Sequence, residues 1–111
     1  MPLLFAFLAL ATNSPVLSVP IAPDYSTTTL SEYVKSKHIP KLWETLNCES
    51  GFKYDSLGDK GTSFGIAQIH LPAHLNITKE QALDPYWAIN WSVEQFKKGN
   101  ARIWSCYAAS L

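Results

Sequence analysis

The sequence predicts a small, mainly α-helical domain interrupted by one turn-rich or short hairpin segment. Three observations lead there: apolar residues at helical spacing behind an Asp-Pro start, hydroxyl-led caps ahead of shorter apolar runs, and a stretch crowded with Asp, Ser and Gly between them. With 111 residues and a hydrophobic fraction of 47%, the chain can bury one core.

The elements follow in order. Residues Leu3 to Ala11 form an unbroken apolar run, too short for a membrane-spanning helix, with Ala9 and Ala11 in the spacing a signal peptidase prefers and no Lys or Arg ahead of it. The expectation is a signal peptide over residues 1–22, which would place the protein outside the cell or on its envelope; a frayed N-terminal arm is the alternative. The Pro- and hydroxyl-rich stretch that follows reads as a linker ending at residues 23–29, which leaves 30–111 as the folded domain, about eighty residues. Thr29 and Glu32 have the spacing of a capping box for a first helix reaching about His38. Pro40 suits the first turn of a second helix, with Leu42, Trp43 and Leu46 on one face and Gly51 ending it. Lys53 to Ser63 reads as turns, with a hairpin expected around Leu57 to Gly61. Phe64, Ile66, Ala67 and Ile69 then surround a single amide, Gln68, before Pro72 closes the strip. Thr78 with Gln81 caps a short helix. Asp84 and Pro85 start the longest one, along which Tyr86, Ile89, Val93 and Phe96 recur until Lys97, Lys98 and Gly99 end it.

Nine basic and nine acidic residues are scattered along the chain, so it carries no electrostatic footprint for nucleic acid. His38, His70 and His74 are not grouped with Cys or carboxylates in a metal-binding pattern, and Pro72 argues against a helical face shared by His70 and His74. No metal or cofactor is expected. Cys48 and Cys106 would pair in an exported chain, contributing about 4 kcal/mol by the chain-entropy estimate; two buried free thiols are the alternative.

The chemistry-bearing residue is Glu49, in the last turn of the second helix, where the carbonyl end disfavours an ionised carboxylate. A well-placed acid, a polar loop after it, an amide in an apolar strip and several aromatic rings are the parts needed to protonate a glycosidic oxygen and hold a sugar chain. Trp87, Trp91 and Trp104 are read first as core residues rather than sugar platforms.

The strings "WETLNCESGF", "GTSFGIAQIH", "DPYWAIN" and "WSCY" resemble the lytic transglycosylase domain and the resuscitation-promoting-factor domain, both lysozyme-like folds that act on peptidoglycan. The resemblance spans about Leu42 to Tyr107, and its paired cysteines look most like the resuscitation-promoting form. It implies a lysozyme-like domain acting, as a monomer, on peptidoglycan glycan strands. Glu49 is then the general acid and later the base, and Ser50 orients that carboxyl or its helix end. Gln68 lines the groove, and Ser63, His70 and Tyr107 complete the expected substrate-binding set. In a transglycosylase the C6 hydroxyl of the sugar attacks the anomeric carbon, so no second carboxylate is required. Asp59, with Asp55 close by, is the candidate second carboxylate of a hydrolytic lysozyme. The transglycosylase pattern continues with Asn and Gly after its late Tyr, whereas Tyr107 is followed by Ala108 and Ala109, which motivates a further alternative, a non-catalytic peptidoglycan-binding module.

Overall fold

The first helix, α1, runs Thr27–Ser36 and starts ahead of the expected cap. Ser26, not Thr29, is the N-cap, because the Thr29 hydroxyl is taken by Asp24: it donates to Asp24 Oδ2 at 2.6 Å while the Thr29 N–H donates to Ser26 Oγ at 3.2 Å. The Thr29 hydroxyl first, and then Ser26, whose N–H donates to Asp24 Oδ1 at 2.8 Å, hold the Asp24 carboxyl below its ordinary pKa, so these two bonds are at full strength when it is ionised and weaken as acid protonates it. The computed structural model describes residues 22–111, and all of the expected signal peptide except residue 22 lies outside them. The linker reading of 23–29 is corrected. Thr27 to Thr29 are helical, Tyr25 packs against the rings of Tyr54 and Tyr86 at 5.0 and 6.0 Å, and the Tyr86 hydroxyl donates to the Asp24 carbonyl at 2.7 Å. Ring packing at Tyr25 and one exposed hydroxyl bond from Tyr86 hold a segment whose composition alone reads as unstructured.

Helix α2 spans Leu42–Ser50. Pro40 stands outside it, since Lys41 has φ 73° and the helical geometry begins only after that left-handed residue. Leu42, Thr45 and Leu46 are buried, and the Trp43 indole N–H donates to Ser31 Oγ at 2.8 Å, stitching α2 to α1. Gly51, at φ 63°, gives its N–H to the Asn47 carbonyl and turns the chain out of the helix, as expected of a glycine there.

The turn-rich segment folds into a small antiparallel sheet of three two-residue strands in the order β1 (Leu57–Gly58), β2 (Ser63–Phe64) and β3 (Ile69–His70). Leu57 faces Phe64 across the first pair, and Ser63 faces His70 across the second. The connection between β1 and β2 is a 3-10 turn at Asp59–Gly61, where the hairpin was expected; β3 comes from the end of the apolar strip.

Helix α3 (Lys79–Leu83) carries its capping box in both directions, Thr78 with the Gln81 N–H and the Gln81 side chain with the Thr78 N–H. Helix α4 (Pro85–Lys97) is capped by the Asp84 carboxylate, which accepts from the N–H groups of Tyr86 and Trp87. Its buried stripe is Pro85, Ala88, Ile89 and Ser92, while Tyr86, Val93 and Phe96 are only half-buried. The small residues let α4 approach the core closely, and the large ones wrap its flanks. After a 3-10 turn at Ala101–Ile103, helix α5 (Ser105–Ala109) is joined to α2 by the disulfide Cys48–Cys106, which links residues 58 apart in sequence with Cα atoms 6.1 Å apart.

The core draws Leu30 and Val34 from α1, Leu42 and Leu46 from α2, Ile66 and Ile69 from the strip, and Ile89 from α4. Trp104 closes it, 4% exposed, with its indole N–H donated to the Ala67 carbonyl at 2.8 Å. Among the described residues no helix is long and apolar enough to cross a membrane.

Candidate active site

Glu49 sits in the last full turn of α2, half-buried, one residue after the disulfide-bonded Cys48. The Cys106 N–H donates to Glu49 Oε2 at 3.0 Å. The disulfide and this hydrogen bond join one residue of α5, Cys106, to adjacent residues of α2, so the carboxyl is fixed to α5 as well as to its own helix. Oε1 accepts no hydrogen bond among the described residues.

Glu49 opens onto a groove of about 760 Å³. The sheet supplies one wall, with Asp59, Thr62, Ser63, Gln68 and His70; His74, Ile103, Trp104 and Ser105 form the other. Among the residues expected from the sequence, Glu49, Asp59, Ser63, Gln68 and His70 therefore share one groove.

Ser50 does not line it. Its hydroxyl donates to the Ile66 carbonyl at 2.6 Å, lies 3.2 Å from the Leu46 carbonyl, and accepts the Phe52 N–H at 3.2 Å. Its place is at the helix end, one of the two positions expected for it: Ser50 ties the end of α2, and Glu49 with it, to the strip beneath the sheet. Ser50→Ala is expected to cost about 1–3 kcal/mol of stability by leaving the Ile66 carbonyl without its partner, measurable as a lowered urea midpoint with an unchanged slope.

Tyr107 also lies elsewhere. Its ring packs edge-on against Phe96 at 5.4 Å, and it lines a separate cavity of about 360 Å³ with Ile39, Pro40 and Arg102. The reason is helical rotation: the disulfide turns Cys106 toward α2, so the next residue, about 100° further round α5, faces α4 instead. Asp55 is exposed and is not among the groove residues.

Gln68 is in the groove wall, but both hydrogens of its amide are already used, donated to the carbonyls of Ser56 at 3.1 Å and Gly65 at 2.9 Å. Its Oε1 lies against the α-carbon of Gly58, where a β-carbon would collide with it, so that close approach requires glycine. The amide holds the sheet to the strip, and only its oxygen is left to read a ligand. Gln68, Asp59 and Lys60 all have positive φ, at 48°, 48° and 58°. Each such non-glycine residue costs about 1 kcal/mol or more; His38, Lys41 and Phe52, away from the groove, share the conformation.

The sequence reading did not pick out Thr62, His74, Trp104 or Ser105 as groove residues. His74 was the most legible of these, since it stands four residues after His70: the 3-10 turn at Leu71–Ala73, induced around Pro72, brings both histidines to one groove without any shared helix. The His74 ring meets Trp91 edge-on at 5.2 Å, Trp87 stacks on Trp91 at 6.5 Å, and Trp91 lines a small cavity with the groove residues Gln68, His70 and His74. Among the described residues no three His, Cys, Asp or Glu side chains converge in a way that could hold a metal ion.

Comparison with protein-family models, with curated proteins and with solved structures finds no match to this chain.

Proposed function

We propose that this protein cleaves the β-1,4 bond between N-acetylmuramic acid and N-acetylglucosamine in peptidoglycan, as a lytic transglycosylase with Glu49 as its single acid-base group. The observation that carries the reading is Glu49 itself, a half-buried carboxyl clamped through Oε2 to the Cys106 N–H at the edge of a groove whose volume falls in the range of ligand sites. The motif resemblance around it supports the lysozyme-like assignment. In the protonated form Glu49 gives its proton to the leaving glycosidic oxygen as the C1–O bond breaks. The resulting carboxylate then takes the proton of the muramic C6 hydroxyl as that oxygen bonds to C1, which closes a 1,6-anhydro ring and restores the acid. No cofactor enters this cycle. The Cys48–Cys106 bond supports action in an oxidising compartment, secreted or at the cell envelope, with glycan strands as the partner.

A second reading, hydrolysis, is favoured by one specific observation: Asp59 lines the same groove as Glu49, where a second carboxylate could activate water. Mass spectrometry of muropeptides released from purified peptidoglycan separates the two. Products with 1,6-anhydromuramic ends are the expected result. Reducing ends would establish the lysozyme reaction and make Asp59 its base, and no released product at all would leave a binding module.

A further inference from the structure

Four polar side chains on the sheet wall make more bonds to one another than substrate contact requires. Ser63 Oγ lies within hydrogen-bond distance of Asp59 Oδ2 and 3.2 Å from His70 Nδ1. Thr62 Oγ1 lies 2.8 Å from the Asp59 backbone carbonyl and 3.3 Å from the same Nδ1. Asp59 Oδ2 is itself 3.9 Å from Nδ1. The strands enforce the arrangement, because Ser63 and His70 are directly paired across β2 and β3.

Each hydroxyl has one hydrogen, and counting those hydrogens settles the direction of every bond. A backbone carbonyl can only accept, so Thr62 spends its hydrogen on Asp59 and presents a lone pair to His70. Nδ1 must then carry a hydrogen. Ser63, 1% exposed, shares that one Nδ1–H with Thr62 as a bifurcated bond and passes its own hydrogen to the Asp59 carboxylate. The reverse order, a protonated Asp59 donating to Ser63 and Ser63 donating to Nδ1, would leave the lone pairs of Nδ1 and Thr62 facing each other. The ring nitrogen left over is Nε2, which has no hydrogen-bond partner among the described residues, on a side chain that is 46% exposed and lines the groove.

We propose that Thr62, Ser63 and Asp59 form a directed relay that locks His70 in its Nδ1–H tautomer, making His70 Nε2 a hydrogen-bond acceptor for a hydroxyl of the bound glycan. Thr62, Ser63 and Asp59 are positioning residues in this scheme, and His70 is the contact residue. The relay stands on the geometry of the free protein; the identity of the hydroxyl rests on the glycan-cleaving reading above. It extends that reading by adding a sugar contact that the bond-breaking step at Glu49 does not use.

Imidazole nitrogen-15 chemical shifts report which ring nitrogen bears the hydrogen, and with three histidines in the chain the His70 pair is assigned by its loss in His70→Asn. In the full chain at a pH where the ring is neutral, His70 is expected to show a protonated Nδ1 and a bare Nε2. Ser63→Ala and Thr62→Val should each move the population toward Nε2–H, the form free neutral histidine prefers. A wild-type ring protonated on Nε2 overturns the relay without reference to any variant or activity. A β-1,4-linked N-acetylglucosamine tetramer, titrated into the Glu49→Gln protein so that nothing is turned over, should shift the His70 Nε2 resonance. Adding His70→Asn, whose amide N–H takes the place of Nδ1–H but leaves nothing at Nε2, should weaken binding about five-fold. Equal affinity in that variant overturns the contact. Absence of binding in the parent overturns the glycan reading and the contact together, while the tautomer result still stands or falls by itself.

Discussion

If the proposed reaction is this protein's, Glu49→Gln is expected to lower wall-lytic activity by about 10²- to 10⁴-fold and to leave the fold intact. The loss follows from the chemistry: an amide cannot give a proton to the glycosidic oxygen or take one from the attacking hydroxyl, and general acid-base catalysis is worth about that factor. The fold survives because the only bond that the Glu49 carboxyl makes among the described residues is one it accepts, from the Cys106 N–H, and the amide oxygen of Gln can accept it equally. The variant should therefore melt within about 4 °C of the parent, as expected of a change with little effect on packing. Turbidity loss of a peptidoglycan suspension, read beside a thermal melt, checks both halves. Undiminished lysis by a variant that is folded would place the chemistry elsewhere in the groove, with Asp59 the next residue to replace.

Removing the disulfide has the largest expected effect on stability. Closing a loop between residues 58 apart restricts the unfolded chain by about 4 kcal/mol, a large share of what a domain of this size has in total. The paired change Cys48→Ala and Cys106→Ala should lower Tm by about 20 °C. The same change should also depress lysis below the new melting temperature, because nothing covalent then keeps the Cys106 N–H against Glu49 Oε2. Full activity in the cold, with stability alone reduced, would mean that the α5 contact is not needed to set the acid. Reduction of the native protein with a phosphine should reproduce both effects.

What the sequence disclosed and what it withheld divide along physical lines. Caps made by a side chain on its own local backbone were legible: Thr78 with Gln81, Asp84 with Pro85 and Gly51 at the end of α2 behave as their residue types require. The first helix was misplaced because its cap is a competition, in which Asp24 takes the Thr29 hydroxyl and Ser26 is left to do the capping. That outcome depends on which of two nearby acceptors wins, and spacing alone does not rank them. The linker reading failed for a longer-range reason, since Tyr86 reaches back to Asp24 across 62 positions. Within the candidate site, Asp59, Ser63, Gln68 and His70, four of the residues that share the groove with Glu49, are picked out from the sequence. Ser50 stands at the end of α2, held by the Ile66 carbonyl, while Tyr107 lies outside the groove because a motif records which residues recur and not where they point, and the rotation that Cys106 imposes turns it toward Phe96. Trp104 reads as core, where it is 4% exposed, and His74 is set aside because Pro72 excludes a shared helical face, though not a shared groove.

The bond from Cys106 to Glu49 also has a meaning in time. The partner that fixes the carboxyl is 57 residues further along the chain than the carboxyl itself. A ribosome that has just released α2 has made the acid but not the groove it serves, and Trp104, which closes the core and the far wall, is still to come. The disulfide adds a second delay, because it closes only where thiols are oxidised. A chain built in this order reaches the geometry of its groove only once α5 has been made and its cysteine has been oxidised against α2.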